Sequence, residues 1–76
     1  MDYRERIRAL REDNDYTQQQ IADILNIGQR TYADYELGKT RIPVDSLIRL
    51  AWYYNVSMDY ISGVSNIKNS FPTDKK

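Results

Sequence analysis

Apolar residues recur at helical spacing in five short stretches of the chain, and each stretch is followed by residues that end helices. The first stretch places Tyr3, Ile7 and Leu10 at positions i, i+4 and i+7, which lie on one face of a helix. The run Asp13-Asn14-Asp15 predicts the end of this helix, because these side chains compete for backbone hydrogen bonds and acidic groups are unfavourable at a helix C-terminus.

A second helix is predicted to begin at Thr17. Thr17 and Gln20 have the spacing of a capping box, in which each residue's side chain accepts a hydrogen bond from the other's backbone N–H. Asn26 tolerates the left-handed conformation that a sharp turn requires, so the helix is predicted to end there. Its inward face is formed by Ile21, Ala22 and Leu25.

The third helix is predicted to follow after a very short turn. Gly28 can cap it, and Tyr32 and Tyr35 at positions i and i+3 face inward. The helix runs to about Leu37, because Gly38 follows and glycine is common just past a helix end. Two short helices around a tight turn are the pattern of a helix-turn-helix.

Two further helices complete the pattern. Pro43 suits the first position of a fourth helix, which Asn55 ends. Ser57 caps a short fifth helix that runs through Ile61 and ends at Gly63. The apolar face of the fourth helix is formed by Leu47, Leu50, Ala51 and Tyr54.

The sequence therefore predicts an all-α, compact five-helix domain over residues 1–63, with the helix-turn-helix at helices 2 and 3. Residues 64–76 lack periodicity, so a flexible or partner-packed tail is expected there. Three apolar tail residues could lie across a second chain or over Trp52: Val64, Ile67 and Phe71.

Composition excludes several classes of function. A chain of 76 residues accommodates one small domain. It has no cysteine and no histidine, so it lacks disulfides, the soft metal ligands and the commonest general base. No nucleophile–base constellation or phosphate-binding glycine loop is present. We therefore expect no enzyme activity, no cofactor and no metal.

The hydropathy of the chain predicts a cytoplasmic location. No apolar run approaches the roughly 20 residues that span a bilayer. The N-terminal residues mix both charge signs and lack the apolar segment of a signal peptide. Because no apolar run is long enough to span a bilayer, a membrane is not an expected partner. Because no separate ligand domain is evident, a small-molecule ligand is not expected either.

The neutral net charge of the chain is not typical of a nucleic-acid-binding domain. Eleven basic residues balance eleven acidic ones, and the sequence pI is about 6.1, whereas a basic domain is typical of nucleic-acid binding. A groove-binding protein needs only one basic face, however, and can carry acidic residues elsewhere.

The helix-turn-helix resembles the lambda-repressor-like, Cro/Xre-type DNA-binding domains. The resemblance rests on the segment from Thr17 to Ile27 (TQQQIADILNI) and on Tyr35 to Lys39 (YELGK). It covers about residues 3–63 and continues through Pro43, Leu47, Leu50, Ala51 and the stretch 55–63 (NVSMDYISG). The resemblance implies a third helix that lies in the major groove of DNA, with its N-terminal residues at the base edges.

The resemblance also implies which residues contact bases. Gln29 and Arg30 are the leading base readers, and glutamine and arginine pair bidentately with adenine and guanine respectively. The same surface carries Gly28, Thr31 and Asp34. Asp34 would repel phosphate or accept a hydrogen bond from cytosine N4, and both alternatives remain open.

The resemblance implies positioning and structural roles for other residues. Gln18 resembles the family's glutamine that touches phosphate and braces the first base reader. Lys39 and Arg41 resemble backbone-phosphate contacts, which position a protein without reading sequence. Arg11 and Glu36 correspond to a structural ion pair between the first and third helices. The remaining arginines of the first helix, Arg4 and Arg8, are expected to be a solvated stripe.

Tyrosines and the tryptophan have different expected roles. Tyr16, Tyr32, Tyr35 and Tyr54 have core spacing. Trp52 lies off the apolar face of its helix, and an exposed patch containing tryptophan suggests an interface. Dimer contact and packing beneath the tail are the two alternatives for Trp52. The candidate dimer residues are Trp52, Ile48, Met58 and Val64.

The sequence thus favours a repressor-like transcriptional regulator that binds double-stranded DNA as a homodimer on an inverted-repeat operator. The alternative is an antitoxin-like or other protein-interaction module with little DNA binding. Asp34 and the neutral net charge favour this alternative. Gln18, Gln29 and Arg30, which are predicted to share a face with Lys39 and Arg41, oppose it.

Overall fold

The computed structural model describes residues 1–68, and five α-helices form most of this segment. No strand occurs within these residues, so the predicted all-α class and five-helix architecture are confirmed. Expectations that fall on residues 69–76, including the one for Phe71, lie outside the described residues. The helices are α1 (Tyr3–Asp13), α2 (Gln18–Leu25), α3 (Gln29–Leu37), α4 (Val44–Tyr54) and α5 (Met58–Ser62).

Side-chain caps begin α2 and α5 where the sequence predicts them. The Gln20 N–H donates to Thr17 Oγ1 at 3.1 Å, and the Thr17 N–H donates to Gln20 Oε1 at 2.8 Å. At α5, the Tyr60 N–H donates to Ser57 Oγ at 3.0 Å. These bonds satisfy N–H groups that have no partner within the helix.

Left-handed residues end the last four helices. Asn26 and Asn55 have φ of 60° and 58°, and Gly38 and Gly63 have φ of 81° and 95°. In each case the backbone N–H of this residue donates to carbonyl oxygens in the last turn of the helix that it ends. Each predicted helix end is therefore confirmed, because the chain places asparagine or glycine where φ must be positive.

The start of α4 differs from the prediction by one residue. Pro43 is the N-cap rather than the first helical residue, with φ −62° and ψ 147°. The pyrrolidine ring fixes φ but leaves ψ free, so proline alone does not decide between these two positions.

One apolar core joins the helices and fixes the orientation of α3. Helix α2 packs against α3 and α4, while α1 packs against α3 and α5. Every inward face predicted from periodicity contributes residues to this core, and Ile27 of the turn packs at its edge. The buried apolar residues are Ile7, Leu10, Ile21, Ala22, Leu25, Tyr32, Tyr35, Leu47, Leu50, Ala51, Val56 and Ile61.

A buried arginine, which periodicity does not predict, holds the segment after α5. Arg6 is only 3% exposed, and its guanidinium lies 3.8 Å from the centre of the Tyr60 ring. Its Nη1 donates to the carbonyl oxygens of Tyr60 and Ser65 at 2.7 and 3.2 Å, and its Nη2 donates to Asn66 Oδ1 at 3.3 Å. The packed structure thus extends beyond Gly63, which is where the sequence pattern ends.

Arg4 and Arg8 are not equivalent. Arg8 is exposed and pairs with Glu12 at 3.1 Å, as expected for a solvated stripe. Arg4 instead pairs with Asp2, which caps α1, and its side chain fills the space where a Cβ at Gly38 would lie. Arg4 therefore packs between the start of α1 and the end of α3.

The described helices lack the length and apolar character needed to cross a bilayer. Within residues 1–68, no group of acidic side chains is arranged to hold a metal ion.

Candidate nucleic-acid interface

The first turn of α3 projects its polar side chains into solvent. The opposite side of the helix is anchored by Tyr32 and Tyr35, which are buried and pack edge to face with ring centres 6.3 Å apart. This anchoring leaves the exposed stretch Gly28, Gln29, Arg30 and Thr31. A rigid helix with an exposed polar N-terminal turn has the geometry that entry into a major groove requires.

A bidentate ion pair joins α1 to α3 behind this surface. Arg11 Nε donates to Glu36 Oε2 at 2.8 Å, and Arg11 Nη2 donates to Glu36 Oε1 at 3.1 Å. The Glu36 side chain is only 4% exposed. Arg11 Nη1 also donates to the Tyr16 carbonyl oxygen at 3.0 Å, so the same guanidinium fixes the loop that leads into α2.

The environment of Glu36 keeps its carboxylate ionised. Burial is the largest single effect and raises the pKa of Glu36, but the hydrogen bonds from Arg11 and Gln18, the nearby Tyr32 hydroxyl and the Arg11 charge together outweigh it. The pKa therefore lies below the ordinary glutamate value. The Tyr32 hydroxyl, which is buried beside this charge, has a raised pKa, mainly because of burial.

Gln18 connects the buried pair to the exposed end of α3. Its Nε2 donates to Glu36 Oε1 at 3.2 Å, and its Oε1 accepts from Gln29 Nε2 at 2.9 Å. The structure therefore brings Gln18 and Gln29 together and gives the exposed Gln29 side chain a partner of fixed orientation.

Lys39 and Arg41 lie in the loop at the other end of α3, about 13 Å of helix away from Gln29. The N–H groups of Lys39 and Thr40 both donate to the Asp34 carbonyl oxygen, at 2.9 and 3.4 Å, which holds the loop against the helix. Lys39, Arg41 and Arg30 are exposed, and none of the three forms an ion pair within residues 1–68.

The outward stripe of α3 also contains an acidic and an apolar residue. Arg30, Asp34 and Leu37 are spaced i, i+4 and i+7, on the side opposite the buried tyrosines. Asp34 is half-buried, whereas Leu37 is 64% exposed. Leu37 is not among the residues predicted for the site, although its spacing of seven from Arg30 places it on the same stripe.

The candidate dimer residues differ in exposure. Trp52 is 69% exposed and Val64 is 77% exposed. Ile48 is half-buried, one turn before Trp52, and Met58 is half-buried against the core. Trp52 and Val64 therefore present the larger apolar surfaces.

The chain is similar to known helix-turn-helix proteins. The family model HTH_3, described as helix-turn-helix, matches residues 7–61. An uncharacterized HTH-type transcriptional regulator, YobD of Bacillus subtilis (strain 168), is 38% identical over 64 residues, which are 84% of this chain and 57% of that protein. The HTH-type transcriptional regulator ImmR of the same organism is 35% identical over 69 residues, 91% of this chain and 54% of ImmR.

A solved structure shows the same fold. The crystal structure of a transcriptional regulator from Listeria innocua superimposes with a TM-score of 0.78 at 35% identity. The match covers 82% of this chain and 58% of that one. The chain thus spans a little over half the length of these similar proteins, which are named as regulators and not as enzymes, in agreement with the expectation of a non-enzymatic protein.

Proposed function

Because this chain belongs to the helix-turn-helix family HTH_3, we propose that it binds double-stranded DNA and regulates transcription. The observation that carries the proposal is the exposed first turn of α3, where Gln29 is oriented by Gln18 and Arg30 lacks an ion-pair partner among the described residues. Side chains that enter a groove must be free of the protein's own packing, and this surface meets that requirement.

Base contacts come from the N-terminal turn of α3. Gln29 pairs with adenine and Arg30 with guanine, since an amide and a guanidinium match the major-groove edges of these bases. Thr31 and the exposed Gly28 lie beside them, and Asp34 contacts cytosine N4 or limits the approach of phosphate.

Phosphate contacts come from both ends of the helix-turn-helix. Gln18 lies at the start of α2, where N–H groups and the helix dipole favour an anion. Lys39 and Arg41 provide positive charge at the far end of α3. Contacts of this kind fix the register of the protein on DNA without reading its sequence.

The functional unit is a homodimer on an inverted repeat, with a repressor-like action on transcription. One small domain offers few base contacts, so useful affinity needs two recognition helices about one DNA turn apart. Exposed apolar surface at Trp52 and Val64 supports a dimer face that also includes Ile48 and Met58.

Site selection followed by mobility-shift titration tests the proposal. The purified chain is used to enrich duplexes from a random-sequence pool, and the enriched duplex is titrated with Gln29→Ala, Arg30→Ala and the control Gln19→Ala. Gln19 is exposed, and its side chain donates to Asp23 Oδ1 of the same helix at 2.8 Å. We expect each base-reader variant to lose about 5–150-fold in affinity, corresponding to roughly 1–3 kcal/mol, and the control to lose less than about twofold. Binding of both base-reader variants at the wild-type level would refute the base-reader assignment.

The rival function is that of an antitoxin-like protein-interaction module. Half-buried Asp34 and exposed Leu37 on the outward stripe of α3 favour it, since an acid weakens phosphate binding and an apolar side chain suits a protein partner. The selection experiment separates the two functions, because an interaction module would enrich no DNA sequence.

A further inference from the structure

The hydrogen bonds that run from the core to Gln29 have a fixed direction. An ionised carboxylate only accepts hydrogen bonds, and Glu36 Oε1 accepts from both Arg11 Nη2 and Gln18 Nε2. A rotated Gln18 amide would direct its carbonyl oxygen at this buried negative charge. The charge of Glu36 therefore determines that the Gln18 amide turns its nitrogen inward and its oxygen outward.

The orientation of the Gln18 amide determines the orientation of the Gln29 amide. The outward Oε1 of Gln18 has no proton to donate, so Gln29 meets it with its own Nε2 at 2.9 Å. This contact uses one N–H of Gln29. The groups that remain for a ligand are its Oε1 acceptor and its second N–H, side by side.

We infer that Glu36 is a specificity-determining residue, which acts through Gln18 to hold Gln29 in the amide orientation that selects adenine over guanine. The inference rests on the proposed function. Adenine offers a donor at N6 beside an acceptor at N7, which matches an amide that presents one acceptor and one donor. Guanine offers acceptors at both O6 and N7, so it would face the Gln29 oxygen with a second acceptor. Arg11 has a supporting part, because its bidentate contact balances the buried charge.

A pair replacement tests the inference without leaving a lone buried charge. Arg11→Met with Glu36→Leu removes both charges, and neutral replacement of a buried pair by apolar residues is often tolerated. The matched control is Arg8→Met with Glu12→Leu, which removes the exposed pair of the same helix together with the longer contact of Glu12 to Arg11 Nη2 at 3.9 Å. A second variant, Gln18→Leu, breaks the connection while it leaves the Arg11–Glu36 pair in place.

The readout is the ratio of affinities for two duplexes that differ by adenine or guanine at one position. That position is the one where Gln29→Ala loses discrimination on the enriched site. We expect the wild type and the Arg8/Glu12 control to prefer adenine by roughly tenfold. In the Arg11/Glu36 variant and in Gln18→Leu the preference should fall below about threefold.

The outcomes separate the inference from the proposed function. If the wild type enriches no sequence, the proposed function fails, and the inference fails with it. If a sequence is enriched but both variants bind the two duplexes more weakly by one common factor, Glu36 has only a structural role and the inference alone is overturned.

A measurement on the free protein applies even where a variant does not fold. In NMR spectra of the wild type, the Gln18 side-chain NH₂ protons should show nuclear Overhauser contacts to the Glu36 side chain. The Gln29 NH₂ protons should show such contacts to Gln18. NH₂ protons of Gln18 that lie close to Gln29 instead of Glu36 would overturn the inference.

Discussion

Glu36 lies where the packing of the helices meets the exposed surface of α3. Its carboxylate is buried, it accepts two hydrogen bonds from Arg11, and it accepts a third from Gln18. A buried charge is tolerated only when it is paired and hydrogen-bonded, and all three bonds are needed here because solvent barely reaches the group. The residue therefore affects stability and the orientation of Gln29 together.

Glu36→Gln should lower the free energy of unfolding at neutral pH by about 3 kcal/mol, because the buried Arg11 charge loses its partner. The pKa of Glu36 in the folded chain is lowered, so its stabilisation is present above the ordinary glutamate pKa and is lost as the pH falls through the lowered value. Urea unfolding from pH 7 to pH 2 should therefore show the wild type and the variant converging in acid.

The control for this experiment is Glu12→Gln, at an exposed carboxylate that pairs with Arg8 at 3.1 Å and with Arg11 at 3.9 Å. Because water screens these pairs, the change in stability should be less than about 1 kcal/mol at any pH. A constant difference between wild type and Glu36→Gln from neutral pH to acid would contradict the role assigned to the charge.

Arg6→Ala should destabilise the chain by about 2 kcal/mol, because a buried, charged donor to two partly buried carbonyl groups is lost. Arg6→Lys should recover part of the lost stability, since lysine keeps the positive charge but lacks the planar set of N–H donors of arginine. Chemical denaturation measures both, and hydrogen exchange should show faster opening at Ser57, whose N–H donates to the Lys68 carbonyl oxygen. An Ala variant as stable as the wild type would show that the contacts of Arg6 contribute nothing.

Single residues differ in how far the sequence predicts them. The resemblance located both partners of the ion pair, because Glu36 falls within the matched segment Tyr35–Lys39 and Arg11 falls within the stretch 3–63 that the resemblance covers. Arg6 could not be identified in this way, since its burial depends on Ser65 and Asn66, which are 59 and 60 positions away and show no helical pattern.

At the scale of the elements, short caps determine where each helix begins and ends. Helices as short as α2 and α5 have eight and five residues, so intrinsic propensity contributes little and the end groups matter more. Helix ends were predictable because capping is local: the N–H groups of the left-handed asparagines and glycines donate to carbonyl oxygens only three or four residues earlier in the chain. The position of Pro43 was less predictable, because its ψ depends on how α4 packs.

Thr17→Ala should cost about 1 kcal/mol of stability, through loss of the side-chain acceptor for the Gln20 N–H. Thr17→Ser keeps a hydroxyl at the N-cap and serves as the matched control, with little change expected. Thermal unfolding followed by circular dichroism compares the two. Equal loss in both variants would show that the methyl group of Thr17, and not its hydroxyl, is responsible.

At the scale of the whole molecule, neutral net charge and exposed apolar side chains argue for assembly as part of function. With equal numbers of acidic and basic residues, general attraction to DNA is weak, so the proposed binding depends on a few placed contacts and on two copies acting together. The sequence predicts the candidate face around Trp52, since the residue lies off the core stripe. Periodicity alone cannot show what covers such a face, because it describes one chain only.

Val64→Asp should weaken self-association of the chain by at least about tenfold, because a charge would be desolvated in an apolar interface. The matched control is Val44→Asp, at an exposed valine of α4 outside the candidate face. Sedimentation over a range of concentrations measures the dimer population. Equal weakening in both variants, or a wild type that stays monomeric on its selected duplex, would contradict the assigned dimer face.

The most direct test of the account is an NMR titration of the isotope-labelled chain with its selected duplex. We expect the largest backbone shifts at residues 28–31, at the exposed start of α3, and smaller shifts at Gln18 and at residues 39–41. Shifts confined to the surface around Trp52 and Val64, with the start of α3 unchanged at saturation, would contradict it.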